Sequence, residues 1–246
     1  MPPKFFQIGF NKCGTTFIAR LFDLNRIPAA HWLEGALADD IAYARLTGTR
    51  PLARWADSVT AFTDMESVRF LNMPVIEGFR DFALVDRHYP GSIFLLNTRR
   101  VEDWIASRYL HRGGAYARSI AANLGVSLGD LGDIWARDWA DHLSAVRAHF
   151  AGRPTFIDID IDQAAPEDYR RALSPWYDLP HLPALPGAAK GYGRPPAPCA
   201  GAVPGHGSGP PAHGRRGRPA AASRAGRAVL SGRTAPRPSA RGGGGQ

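Results

Sequence analysis

Cysteine is scarce in this sequence, and the two cysteines present, Cys13 and Cys199, lie far apart. No cluster of cysteine and histidine with metal-ligand spacing accompanies them, which argues against both a disulfide framework and a zinc site. The sequence also lacks any run of about 18 apolar residues and has no apolar signal at its amino terminus. We therefore expect a cytoplasmic protein with no membrane span and no bound metal.

Acidic residues are missing from the last quarter of the chain. Ten of the 30 basic residues and none of the 22 acidic residues lie in 187–246, so residues 1–186 carry 20 basic against 22 acidic side chains. The net charge of +8 therefore belongs to the tail. Because the rest is nearly neutral, we expect no nucleic-acid partner, and binding of nucleic acid through the arginine-rich tail is the least favoured alternative.

The tail also lacks large apolar side chains and consists mainly of Gly, Pro, Ala and Arg. Such a segment buries too little surface to offset the entropy of ordering, so residues 187–246 are predicted to be disordered. Its composition also fits translation of GC-rich DNA in the wrong frame. In that hypothesis the native carboxyl terminus is missing.

Residues 1–186 are long enough for one α/β domain. Short apolar runs alternate there with segments of helical spacing, which predicts a three-layer α/β fold with a central parallel sheet flanked by helices. The predicted strands are residues 5–9, 92–97 and 155–159, and the predicted helices are 16–24, 33–46, 75–89, 101–109 and 131–150. Residues 61–65 are predicted to be irregular.

The segment between the first predicted strand and helix is a loop with the sequence Gly9-Phe10-Asn11-Lys12-Cys13-Gly14-Thr15-Thr16. Glycine allows the backbone to approach a ligand closely, and the free N–H groups at the start of a helix attract anions. Lysine adds a mobile positive charge, and the threonines add hydroxyl donors. The loop therefore predicts a phosphate or sulfate site.

In the common nucleotide triphosphate loop, lysine follows the second glycine, whereas here Lys12 precedes Gly14. The block Lys-Cys-Gly-Thr-Thr instead resembles the 5'-phosphosulfate loop of sulfotransferases that use 3'-phosphoadenosine-5'-phosphosulfate (PAPS), bacterial members above all. The resemblance implies a P-loop NTPase-like fold and PAPS as co-substrate without a metal. It also implies that the donor is bound by Lys12, Cys13, Gly14, Thr15, Thr16 and Phe17, with Lys12 also acting in catalysis.

A second signature of that family is an arginine at the end of a strand and a serine eight positions later, which bind the 3'-phosphate of the donor. Arg99 and Ser107 have this spacing. Both loops lie at one edge of the sheet if the strands that precede them are neighbours. The glycine-rich third motif of many cytosolic members is not found.

Transfer to an acceptor hydroxyl needs a general base. Asp64 is favoured because burial between the two donor loops would raise its pKa, with a turn or cap aspartate as the alternative. His31 is the second choice, with a buried structural histidine as its alternative. Glu77 is predicted to be a solvated helix residue, and the histidines predicted at the surface are His111, His142 and His149.

Three further questions stay open from the sequence. A P-loop small-molecule or nucleoside kinase is the main alternative, disfavoured by the lysine position and by the lack of an evident magnesium-binding carboxylate after a later strand. A catalytically silent donor-binding module is another. The acceptor is predicted only as a molecule with a free hydroxyl, for which a carbohydrate is favoured by analogy, and the sequence does not indicate an oligomeric state.

Overall fold

The computed structural model describes residues 2–68 and 74–184. The predicted boundary at residue 186 and the predicted disorder of 187–246 lie outside the described residues. Cys199 lies outside them as well.

Seven short strands and seven α-helices occupy the described chain. The strands are β1 (Phe5–Gln7), β2 (Ala29–His31), β3 (Ala61–Thr63), β4 (Glu66–Ser67), β5 (Ile76–Glu77), β6 (Ile93–Thr98) and β7 (Phe156–Asp160). The helices are α1 (Thr15–Leu24), α2 (Ala36–Thr47), α3 (Phe82–His88), α4 (Val101–Leu110), α5 (Ala115–Leu124), α6 (Leu131–His149) and α7 (Pro166–Leu173). Single 3₁₀ turns form at Leu33–Gly35, Ala53–Trp55, Gly78–Asp81 and His111–Gly114.

Five of the strands form one parallel sheet in the order β2-β3-β1-β6-β7. Residue Phe5 of β1 pairs with Ala61 on one side and with Ile93 on the other, which makes β1 the central strand. Every residue of β1, β3 and β6 is buried, as expected of parallel strands covered on both faces. The predicted three-layer α/β fold is confirmed.

Apolar side chains alternate between the two faces of the sheet. On one face the ring of Phe6 stacks on those of Phe62 and Phe94, with centroid distances of 5.3 and 5.4 Å, and the buried tryptophans of α6 belong to the same apolar cluster. On the other face Phe5 packs against Phe22 of α1, with ring centroids 4.7 Å apart. The sheet therefore lies between two apolar layers, one on each side.

Two local predictions are wrong. Residues 61–65 begin with strand β3, which is buried between β1 and β2. The strand has only three residues, and so short a segment shows no periodic pattern in the sequence. The helix predicted for 75–89 starts only at Phe82, since Ile76 and Glu77 pair with β4 and Gly78 packs against α2. Tertiary pairing outweighs the helical spacing of that segment.

The long helix predicted for 131–150 is confirmed as α6, whereas α5 and α7 were not predicted. His142 on α6 is buried, which contradicts its predicted surface position. Its Nε2 donates to the carbonyl oxygen of Ile8 over 2.7 Å, so it ties the helix to the end of β1. Across the described ranges, no helix is both long enough and apolar enough to cross a membrane.

Candidate functional site

The predicted anion loop connects β1 to α1, and Gly9 brings its first residue against the neighbouring strand. A Cβ on Gly9 would lie 2.6 Å from the backbone oxygen of Asn97 and 2.9 Å from its nitrogen. Real Cβ atoms are essentially never found this close, so the contact requires glycine. The loops after β1 and β6 therefore start side by side.

The second glycine, Gly14, stands immediately before α1 with a left-handed φ of 80°. Within the described chain no side chain caps α1, so the first amides of Thr15 and Thr16 remain as donors. The side chain of Cys13 is fully buried, and burial raises the pKa of its thiol to about 12. Cys13 therefore has only its backbone to offer a ligand.

Lys12 has the charged side chain of the loop and a strained φ of 63°. Partial burial lowers the pKa of its ammonium group, while Asp64 and Glu66 oppose that change and Arg112 adds to it. The positive charge of Lys12 is thus only partly solvated and lies near the carboxylates of Asp64, which follows β3, and Glu66, which is on β4. Such a charge interacts more strongly with an added anion than a fully exposed lysine does.

Lys12 opens into a cavity of about 650 Å³, within the usual range for small-molecule sites. It is lined by Asn11, Lys12, Gly14, Thr15, Thr16, Phe17, His31, Trp32, Asp64, Glu66, Val68, Ser107, His111, Arg112, Ala115, Tyr116 and Ser119. A larger but more open cleft of about 930 Å³ lies around residues 167–180, away from this loop. We take the smaller cavity as the candidate site because the predicted anion loop and several titratable groups converge on it.

Two of the predicted catalytic residues lie beside Lys12 at the ends of adjacent strands. His31 ends β2 and its Nδ1 is 2.9 Å from the hydroxyl of Thr63, while its Nε2 is 3.8 Å from Oδ2 of Asp64. Burial raises the pKa of Asp64, and His31 and Lys12 counteract the rise. All three predicted catalytic residues therefore line one cavity.

Arg99 and Ser107 occupy different positions relative to the cavity. Ser107 lines it from α4, but Arg99 lies behind the loop and is not among the lining residues. Its Nη1 donates to the carbonyl oxygen of Lys12 over 3.2 Å, and its Nη2 is 3.6 Å from Oδ1 of Asp162. The Lys12 loop and Arg99 are thus on the same edge of the sheet, as a single ligand spanning both requires.

A buried polar group under the loop was missed in the sequence. Arg108 is 1% exposed and bonds to Asn11, Glu66 and Glu77. Glu77 is therefore part of a buried ion-pair network and not the solvated helix residue that was predicted. Arg108 follows Trp104 by one helical turn, and that shared face was the available signal for its burial.

Left-handed backbone is concentrated around the cavity. Besides Lys12, the non-glycine lining residues with positive φ are Trp32, Asp64 and Arg112. The guanidinium carbon of Arg112 lies 5.3 Å from the ring centroid of Trp32, which joins the two strained turns. His111 next to it also lines the cavity, and burial together with Lys12 and Arg112 lowers its pKa to about 4. Strained backbone of this kind costs roughly 1–3 kcal/mol per residue and is typical of functional sites.

Comparison with protein-family models gives no match to this chain, and comparison with curated proteins gives none either. No group of three or more His, Cys, Asp and Glu side chains in the described part is arranged to hold a metal ion.

Proposed function

We propose that this protein is a sulfotransferase that transfers a sulfuryl group from PAPS to an acceptor hydroxyl, leaving 3'-phosphoadenosine-5'-phosphate (PAP). The proposal is supported above all by the contact between the loop after β1 and the loop after β6. The Lys12 loop and the Arg99 loop follow paired strands and are linked by the bond from Arg99 to the Lys12 carbonyl. A loop of the Lys-x-Gly-Thr-Thr type thus has a second cationic side chain, that of Arg99, within reach.

The donor set of the cavity suits a molecule with several anionic groups. Lys12, Thr15, Thr16 and the amino end of α1 face one part of it, and Ser107 faces it from α4. Arg99 lies beside the cavity and does not line it, and in the described chain its buried Nε has no hydrogen-bond partner, so a phosphate oxygen that reached it would satisfy a donor that is otherwise unpaired. These residues fit PAPS, in which a 5'-phosphosulfate and a 3'-phosphate lie at a fixed separation.

Asp64 is the residue that we assign as the general base. Among the described residues its carboxylate accepts no hydrogen bond, whereas both oxygens of Glu66 already accept from Asn11, Arg108 and Tyr116. A carboxylate whose lone pairs are occupied is a poor proton acceptor. The raised pKa of Asp64 also brings it closer to the pH at which a base works well.

In the proposed reaction Asp64 and Lys12 each act on one reacting atom. Asp64 accepts the proton of the acceptor hydroxyl while that oxygen forms the new bond to sulfur. Lys12 stabilises the negative charge that develops on the bridging oxygen as its bond to sulfur breaks and PAP leaves with the electron pair. His31, held in place by Thr63, lies 3.8 Å from Asp64 and limits the positions that its carboxylate can take.

Titration calorimetry with PAP in the absence of magnesium tests the donor site. We expect wild-type protein to bind PAP, and Lys12→Ala and Arg99→Ala to weaken binding roughly 100-fold, since a bond to a charged group contributes up to about 3 kcal/mol. Arg100→Ala is the matched control, because the Arg100 side chain is 70% exposed and, among the described residues, its guanidinium pairs with Glu102 and Asp103 at the start of α4. Unchanged PAP affinity in folded Lys12→Ala would contradict the assignment.

Turnover with radiolabelled PAPS and a panel of acceptors, beginning with carbohydrates, tests the base. Asp64→Asn should keep PAP affinity and lose about 10²–10⁴ in turnover, the usual contribution of a general base. Equal turnover in Asp64→Asn and wild type would remove Asp64 from the mechanism. Donor binding with no turnover on any acceptor would favour the catalytically silent module.

A P-loop kinase is the second candidate, and one observation favours it. Asp64 directly follows β3, the strand next to β1, so a carboxylate does stand after a later strand near the hydroxyls of Thr15 and Thr16. Such a carboxylate and hydroxyl hold magnesium in P-loop enzymes. ATP binding that requires magnesium, together with no binding of PAP, would favour the kinase over the sulfotransferase.

A further inference from the structure

Five polar side chains, four of them buried and one partly buried, form a group next to the predicted anion loop, which we call the Arg108 cluster: Asn11, Glu66, Arg108 and Tyr116, with Glu77 partly buried. Arg108 donates from Nε to Asn11 over 3.0 Å and from Nη2 to Glu66 over 2.9 Å and to Glu77 over 3.0 Å. Tyr116 donates to Glu66 over 2.8 Å. Asn11 closes the cluster by donating to the other oxygen of Glu66 over 2.7 Å.

The cluster is a poor device for stability alone. Burial raises the pKa of Glu66 and Arg108 opposes that rise, which shows that desolvation and ion pairing work against each other here. Burying an ion pair costs several kcal/mol per charge, and well-packed apolar residues are often equally stable in its place. What the charges provide beyond stability is directional bonding to a particular partner.

That partner is Asn11, the residue before Lys12. Both polar atoms of the Asn11 side chain are bonded within the cluster, and its backbone oxygen accepts from Nε1 of Trp104 over 3.0 Å. On the other side, the carbonyl of Lys12 accepts from Arg99. The strained backbone of Lys12 is thus held from both ends.

We propose that Arg108, with Glu66 and Glu77, is a positioning residue that acts through Asn11 to hold Lys12 in the conformation that binds the anionic end of its ligand. Arg108 and Glu77 do not line the cavity, so their effect on a ligand passes through other residues. The inference rests on the proposed function only for the identity of the ligand as the 5'-phosphosulfate end of PAPS.

A double-mutant cycle between Arg108→Lys and Asn11→Ala tests the connection, because lysine cannot bond to three groups at once in the geometry of arginine. We expect each single variant to weaken PAP binding about 10-fold, and the double variant to be no more than 2-fold weaker than Asn11→Ala. Independent effects that multiply to about 100-fold would overturn the proposal. Arg147→Lys is the control, since Arg147 is half exposed and bonds to Asp158 on the surface.

Amide hydrogen exchange of the peptide covering residues 9–16 gives a readout that needs no ligand. Exchange should be faster in both single variants, and no faster in the double variant than in Asn11→Ala. If wild type does not bind PAP but exchange shows this coupling, the proposed function fails while the positioning role stands. Unchanged exchange in folded variants would refute the positioning role itself.

Where Arg108→Lys does not fold, Glu77→Gln serves in its place, because it removes the negative charge that pairs with Arg108 and Arg80 and leaves the cavity lining intact. Melting temperatures separate the two roles. A purely structural cluster would lower the melting temperature while folded protein keeps wild-type PAP affinity and wild-type exchange in 9–16, and that result would also count against the proposal.

Discussion

Gly9→Ala should be among the most damaging single substitutions in this protein, although it adds only one carbon atom. The new Cβ would lie 2.6 Å from the backbone oxygen of Asn97, whereas ordinary contact begins near 3.4 Å. To relieve this clash, the ends of β1 and β6 must separate by about 0.8 Å, the difference between those two distances. The amide of Ile8 donates to Leu95 over 2.8 Å at this point, so separation also strains a hydrogen bond of the sheet.

We expect a loss of about 3 kcal/mol in the free energy of unfolding, the upper end of the usual cost of overpacking, because backbone atoms cannot rotate away. For a chain of this size that loss lowers the melting temperature by roughly 6–12 °C. Urea denaturation should show a lower midpoint with an unchanged slope, since the surface exposed on unfolding is the same.

Gly132→Ala is the matched control. A Cβ there would lie 3.7 Å from the hydroxyl of Tyr109, an ordinary contact, within helix α6. Alanine is preferred to glycine inside a helix by up to about 1 kcal/mol, so this variant should be at least as stable as wild type. If Gly9→Ala and Gly132→Ala had equal urea midpoints, the backbone of Asn97 would not lie against Gly9 as described.

Two further predictions concern pH. Burial lowers the pKa of His142 to about 4, below the reference value of about 6.5, so its contribution to stability is complete above pH 6.5 and declines as the pH falls towards 4. His142→Gln keeps a donor for the carbonyl of Ile8 but cannot take up a proton. When the free energy of unfolding is measured as a function of pH, this variant should lack up to about 3 kcal/mol of the decline, and a profile identical to that of wild type would contradict the assignment. For Asp86, burial raises the pKa but bonds from Arg153 and His149 outweigh it and lower the pKa. The stabilisation by Asp86 is therefore present at neutral pH and is lost as the pH falls through that lowered pKa. Asp86→Asn should lower the free energy of unfolding by about 1 kcal/mol at pH 7 and leave it unchanged in strong acid. Chemical denaturation at both pH values checks this.

Features set by neighbouring residues were predictable from the sequence, and features set by distant pairing were not. The loop at 9–16 has its glycines, lysine and threonines within eight positions, and α6 shows helical spacing over five turns, so both were identified. Strand β3 has three residues and β4 has two, too few for an alternating pattern.

The candidate site divides in the same way. Lys12 was identified from the residues of its loop, and Asp64 from its place between the two donor loops in the sequence. His31 was the second choice of base, and in the structure it ends β2 beside Asp64. Glu66 and Arg108 are 42 residues apart, and nothing in either local sequence indicates that they pair. Contact of Arg99 with a phosphate stays a prediction. The structure gives Arg99 a backbone partner in Lys12, which only the approach of the two loops reveals.

The Arg108 cluster has a consequence for how this sequence can evolve. Replacing one member alone leaves a buried charge or donor without its counterpart, a change that costs about 3–5 kcal/mol when an ion pair is broken. Replacing the members together with apolar residues avoids that penalty. We therefore expect positions 11, 66, 77, 108 and 116 to change together among related sequences. A substitution at one of them should be accompanied by substitutions at the other four.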